Sequence, residues 1–172
     1  VKYQALADDT TPEDFLNDEL ATALEDNGKE DTRRDVVLYG FGRIGRLAAR
    51  LLCHRPDRGS NLRLRAIVVR KGKGNDLEKR ASLLRVDSVH GPFDGIVSID
   101  AENSLLIING QRVHVIYANS PTEVDYTQYG IKDAVVVDNT GVWRDEEGLS
   151  QHTNAPGAAH AVLTAPGKGN IK

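Results

Sequence analysis

The sequence predicts an α/β fold: a doubly wound, mostly parallel sheet with an inserted antiparallel hairpin region, preceded by an N-terminal helical arm. Three observations lead there. An apolar run, Val36–Tyr39, breaks into Gly40-Phe41-Gly42-Arg43-Ile44-Gly45 and passes directly into a helical pattern, the order of strand, glycine turn and helix. Buried-type strands then alternate with helical periods along most of the chain, as in parallel strands joined by crossovers. Between residues 96 and 117 three short β runs follow one another, the last two separated by Asn109-Gly110, a dipeptide suited to a two-residue hairpin.

Composition bounds the rest. At 172 residues and 40% hydrophobic, the chain can bury one good core and is short for two typical domains. It has no apolar run near the ~18 residues of a membrane span, so no membrane partner is expected. A single cysteine forms no internal disulfide and suits a reducing, cytoplasmic setting. Charge divides unevenly: residues 1–35 hold 4 basic and 11 acidic groups, and residues 36–172 hold 18 and 14. We therefore expect an acidic helical extension over 1–34 and one α/β domain over 35–172. In the extension, Thr11 before Pro12, Glu13 and Asp14 is a helix start, and Leu16, Leu20, Ala23 and Leu24 recur at helical spacing up to Asn27-Gly28.

In the domain, Val36–Tyr39 reads as the first strand and Ile44–His54 as the first helix. Leu62–Val69 is a second strand whose continuous apolar end suits burial on both faces. Leu77–Leu84 is the next helix, with Asp76 as its cap. Ile96–Ile99, Leu105–Ile108 and Val113–Tyr117 are the short strands, turning at Glu102-Asn103 and Asn109-Gly110. Ala134–Val137 is another buried strand, Glu146–His152 a short helix, and Ala161–Leu163 a last strand running into Thr164-Ala165-Pro166. Such alternation predicts helices on both faces of the sheet.

In sheets of this kind a ligand lies beyond the carboxyl ends of the strands, where strand order reverses. That rule selects Gly40–Gly45, Arg70–Asn75, Ala118–Pro121 with Asn119, Asn139-Thr140-Gly141 and Thr164–Pro166. The glycines suit a dinucleotide pyrophosphate: Gly40 for a tight turn, Gly42 for close backbone approach, Gly45 for close packing of helix on strand. The helix then aims its free N–H groups and positive dipole end at the anion.

Other conspicuous side chains read as structural. Cys53 falls in the periodic helix and is expected to pack rather than attack. His90, in Asp87-Ser88-Val89-His90-Gly91, reads as a turn histidine hydrogen-bonded to backbone. His54, His114, His152 and His160 share no metal-ligand spacing, so no metal is expected. Trp143 reads as an anchor for the helix after it, or as cover for a coenzyme edge. Glu146 and Glu147 are solvated acids at a helix N-terminus.

Taken together, Gly40–Arg46, Asp87-Ser88-Val89-His90-Gly91, Asn139-Thr140-Gly141-Val142-Trp143 and Thr164-Ala165-Pro166 resemble, in order and separation, the Rossmann-type coenzyme-binding half of phosphorylating glyceraldehyde-3-phosphate dehydrogenases. The resemblance covers about residues 35–172, and the acidic arm is similar to that of an N-terminally extended bacterial type. It implies an NAD(P)-dependent oxidation of an aldehyde phosphate to an acyl phosphate by a homotetramer in central carbon metabolism. It also implies that Arg43 and Ile44 offer backbone N–H groups to the pyrophosphate, and that Thr140, Gly141 and Thr164 lie on the nicotinamide side.

Two departures qualify it. Where the family ends its second strand in an acid for the adenosine ribose, this chain has Val69 and Arg70, then Lys71 and Lys73. Guanidinium and ammonium groups there suit a 2′-phosphate, so NADP is expected to bind at least as well as NAD, with Asp76 as the other ribose acceptor. The family's Ser-Cys-Thr-Thr-Asn stretch is also absent from these 172 residues. No catalytic residue is therefore assigned: the expectation is a piece that binds coenzyme and turns nothing over, its aldehyde-phosphate substrate requiring a further domain. Two alternatives stand beside this reading, the coenzyme domain of an erythrose-4-phosphate dehydrogenase and a non-catalytic nucleotide-binding or regulatory module. Nucleic acid is disfavoured by the negative overall charge.

Overall fold

The computed structural model describes residue 11, residues 32–54 and residues 61–169, and every regular element among them falls within the compact unit Arg33–Lys172. The acidic extension and its expected helix lie outside the described residues. Strands β1 (Arg34–Tyr39), β2 (Leu62–Val69), β5 (Val97–Asp100), β6 (Leu105–Ile108), β7 (Gln111–Tyr117), β8 (Ala134–Asp138) and β9 (Ala158–Leu163) form one sheet in the order β5-β6-β7-β2-β1-β8-β9. The short β3 (Val86–Asp87) and β4 (Gly91–Pro92) pair separately. Helices α1 (Arg43–His54), α2 (Asp76–Arg85) and α3 (Glu146–Thr153) complete the set.

From β7 through β9 neighbours in the sheet run parallel, while β5, β6 and β7 are antiparallel. The expected hairpin region is thus continuous with the main sheet, because its last strand, β7, also pairs in parallel with β2. The chain builds outward from β1 on the β2 side and then returns to place β8 on the other side. Strand order reverses at β1, and the glycine turn leaves its carboxyl end.

Alternate residues separate the two faces. On one, Val36, Leu38, Leu64 and Ile67 pack with Ala49 and Cys53 of α1 and Leu77, Ala81 and Leu84 of α2. On the other, Val37, Tyr39, Ala66, Val68 and Val136 pack with Val124, Tyr126, Ile131 and Ala155. The cover on this second face differs from expectation. Between β7 and β8 it consists of two 3-10 turns, Pro121–Glu123 and Tyr126–Tyr129, with α3 following β8. Residues 119–131 lack a helical apolar period.

Local caps correct one assignment. Asn75, not Asp76, caps α2, its side chain accepting from Glu78 N at 3.2 Å. Asp76 instead lies inside the first turn, where its carboxylate suits the dipole and takes Arg80 Nε at 2.7 Å. At α3 the cap is Asp145, accepting from Gly148 N at 2.8 Å, with Glu146 and Glu147 exposed in the first turn.

Two buried charges fasten α1 to the end of α2 and the β3–β4 loop. Arg50 donates to Leu84 O and Gly91 O, and its guanidinium lies 5.8 Å from the Phe93 ring centroid. Asp87 accepts from Arg46 at 2.8 Å, from the backbone of Val89 and His90, and faces His90 Nδ1 at 3.0 Å. These contacts hold its carboxyl well below the usual carboxylate range, Arg46 first and His90 next. The His90 ring therefore meets a carboxylate rather than the backbone partner expected of it, because Asp87 turns back into its own loop.

Candidate functional site

Each glycine of the turn has its own steric reason. Gly40 adopts φ +94°, a region that favours glycine, and a Cβ there would stand 2.8 Å from Thr140 Cγ2. Its N–H donates to Val68 O at 2.8 Å, tying the turn to β2. A Cβ on Gly45 would collide with the Gly40 carbonyl oxygen, whereas one on Gly42 would meet nothing within 4 Å. Gly42 thus presents bare backbone to open space. The α1 ladder opens with Arg46 N donating to Gly42 O at 3.0 Å, so the N–H groups ahead of Arg46 lie at the helix's positive end.

A second turn, after β8, faces the first. Asn139 N donates to Tyr39 O at 2.7 Å, carrying the β1–β8 pairing to the base of the turn. Asp138, fully buried, accepts from Thr140 N at 2.6 Å and Thr140 Oγ1 at 2.7 Å, and lies 3.1 Å from His152 Nε2. Burial opposes its charge, yet the bonds from His152 and Thr140 lower its pKa overall. Thr140 Oγ1 in turn accepts from Val142 N at 3.1 Å. The His152 ring stacks edge-on against Tyr39 with centroids 4.7 Å apart, so α3 braces both β1 and the second turn.

Between the turns lies a cleft of about 400 Å³, within the size range of small-molecule sites. It runs from Arg70 and Arg80 past Gly40 and Gly42 to Thr140, Val142 and Trp143, with Asn119 and Ala118 on its β7 side. Of the residues selected from sequence, Gly40, Gly42, Arg70, Asn119 and Thr140 line it. Gly45 lies under the turn against Gly40, and Arg43 and Ile44 are exposed on the first turn of α1. Gly141 adopts φ +67°. Lys71 sits aside with its ammonium 5.7 Å from the Tyr117 ring centroid. Thr164 Oγ1 donates to Asp138 O at 3.0 Å, which ties the β9 exit to the second turn rather than lining the cleft.

Sequence reasoning missed Arg80. It sits one helical turn after Asp76 on α2, pairs with that carboxylate, and donates to Arg70 O at 2.8 Å, so it enters the cleft from a helix that sequence marked only as packing. The i, i+4 spacing of Asp76 and Arg80 was the available signal. Asp138 and His152 were missed as a pair, being 14 residues apart. Trp143 lines the cleft and packs against the second-face core. Cys53 is buried without trace of exposure, and burial pushes its thiol up to about 12. Among the described residues no cluster of His, Cys, Asp or Glu could hold a metal ion, and no helix is long and apolar enough to cross a membrane.

A parallel sheet with a glycine turn, an adjoining helix N-terminus and an open cleft at its reversal point defines a dinucleotide-binding domain of the Rossmann type. Residues 34–146 match the family described as glyceraldehyde 3-phosphate dehydrogenase, NAD binding domain. The chain belongs to that family and carries its NAD-binding domain. Over 172 residues it is 60% identical to a glyceraldehyde-3-phosphate dehydrogenase-like protein of Pseudomonas aeruginosa, covering 99% of this chain and 37% of the relative. It is 33% identical over 136 residues to the glyceraldehyde-3-phosphate dehydrogenase of Zymomonas mobilis, covering 79% of this chain and 37% of that protein. Against the Salmonella typhimurium enzyme the identity is 36% over 138 residues, covering 78% and 37%. The chain thus spans little more than a third of the length of these curated relatives.

Proposed function

We propose that this chain holds NADP at least as well as NAD in the cleft between its two turns, as the coenzyme domain of a protein that oxidises an aldehyde phosphate to an acyl phosphate. The observation that carries the binding is the cradle itself: at Gly45 a methyl group would strike backbone, and at Gly42 nothing stands over the chain within 4 Å. The N–H groups of Gly42, Arg43 and Ile44 and the dipole of α1 supply the positive field for the pyrophosphate. Thr140 and Gly141 border the nicotinamide side, Asn119 stands on the β7 side of the cleft, and Asp138 with His152 fixes the Thr140 turn. Bound there, the nicotinamide ring supplies the hydride acceptor. Arg70, exposed at the end of β2, with Arg80 beside it in the cleft, favours a 2′-phosphate. Residues 1–172 bind and orient; the thiol that would attack an aldehyde lies outside them, since Cys53 is buried and un-ionised at neutral pH. The same reading includes a cytoplasmic protein assembled as a homotetramer when complete.

Calorimetric titration of the chain with both coenzymes tests this. NADP should bind no more weakly than NAD. Arg70→Ala should lower NADP affinity about tenfold, roughly 1.4 kcal/mol, and leave NAD nearly unchanged. Gly45→Ala should weaken both. A clear NAD preference, or full NADP affinity in Arg70→Ala, removes the 2′-phosphate assignment; unimpaired binding by a folded Gly45→Ala removes the cradle.

A further inference from the structure

At the amino ends of the strands, opposite the coenzyme cleft, a recess of about 360 Å³ is lined by Arg33, Arg63, Arg65, Arg112 and His114. Arg65 reaches it through an irregularity in the sheet. The β1–β2 register passes from Val36↔Leu64 to Val37↔Ala66, skipping Arg65, and such a bulge re-aims a side chain. Its guanidinium then donates to the neutral Tyr129 carbonyl at 3.1 Å. Among the described residues Asp35 pairs with Arg63, and Asp100, held by Asn103, feels Arg112. The pKa of His114, which packs on the Tyr129 ring, is lowered by burial first and then by the positive charges of Arg65 and Arg112.

We propose that this recess is a second anion site, separate from the coenzyme cleft, that takes a linear polyphosphate group through the guanidinium forks of Arg65 and Arg112. Planar forks pair phosphate oxygens two at a time, and Arg65 and Arg112, on the neighbouring strands β2 and β7, offer two forks that suit successive phosphoryl groups.

Titration of the chain with sodium tripolyphosphate, with and without saturating coenzyme, tests the site. One equivalent should bind in both cases, and Arg65→Gln/Arg112→Gln should weaken it at least tenfold while coenzyme affinity stays as in wild type. ATP, titrated with the cleft filled, separates the sources: tighter binding than tripolyphosphate assigns the site to nucleotides, equal binding to the phosphate chain alone. Should the double variant fail to fold, the exposed Arg112→Gln carries the test with a loss of several-fold. Absence of tripolyphosphate binding, affinity unchanged in the folded variants, or displacement by coenzyme overturns the proposal. Because the arginine variants read this recess directly, its failure and that of the coenzyme reading are distinguishable.

Discussion

The two faces of the sheet are built on different principles. Under α1 and α2 the sheet itself contributes only hydrocarbon, Val36, Leu38, Leu64 and Ile67, and the buried charges Arg50 and Asp87 bond to loop and helix backbone and to Arg46. Opposite, the same alternation of β1 and β8 delivers Tyr39 and Asp138, which meet His152 and lie near Tyr126. Hydrophobic burial is non-directional and tolerates modest change of shape, whereas a buried carboxylate is stable only while each bond to it is made. The apolar face therefore supplies stability, and the polar face supplies geometry: its bonds end on Thr140, a wall of the cleft. The Tyr39 and Tyr126 hydroxyls and His152 Nδ1 are buried without a hydrogen-bond partner among the described residues, as is Arg46 Nε on the α1 side.

Asp138→Ala should break that contrast most severely. Removing one partner of a buried pair costs about 3–5 kcal/mol, and here Thr140 loses two bonds as well. Urea unfolding should show the loss, and the folded fraction should bind coenzyme at least several-fold more weakly. The pH dependence has a definite sign. With its folded pKa below the unfolded value of about 3.9, Asp138 contributes stability in full above that value and loses it as pH falls through the folded pKa. The acid limb of a stability profile should accordingly be shallower in Asp138→Ala; equal limbs would sink the assignment.

Cys53 sharpens the comparison from the other face. Its thiol is pushed up to about 12 against an unfolded value of about 8.5, so between these pH values the unfolded chain has lost a proton that the folded chain keeps. Stability should fall by about 1.4 kcal/mol for each pH unit above the unfolded pKa. Cys53→Ala should flatten this alkaline limb. A thiol reagent should leave the native chain untouched at pH 8 and react on unfolding; fast native labelling would show that the apolar face is open.

Legibility in the sequence followed the range of each interaction. The glycine turn, the Asn109-Gly110 hairpin and the strand cores show because their physics lies within a few neighbouring residues; Leu62–Val69 and Leu105–Ile108 stand where sequence placed them. The 3-10 turns over 121–129 did not show, since a crossover without apolar period resembles a loop. The cap of α2 shifted by one residue, because Asn75 and Asp76 are both good caps and only Arg80, four residues on, claims the second. In the cleft, the loops were legible from the topology rule. Arg80, the Asp138–His152 pair and the bulge at Arg65 were not, for each depends on which distant segment arrives beside it.

Ile67→Val gives the smallest effect and the cleanest control. Ile67 is fully buried in the centre of β2, on the apolar face, and loss of one methylene there costs about 0.5–1.5 kcal/mol. Its neighbour Val68 points to the other face and lines the cleft, one residue along the same strand. If the faces are separate in function, Ile67→Val lowers the unfolding midpoint and leaves coenzyme affinity within error, measured well below that midpoint. A matching fall in affinity would mean that strain on the hydrocarbon side passes through the strand to the turns, and the division of labour between the faces would then fail at its most direct test.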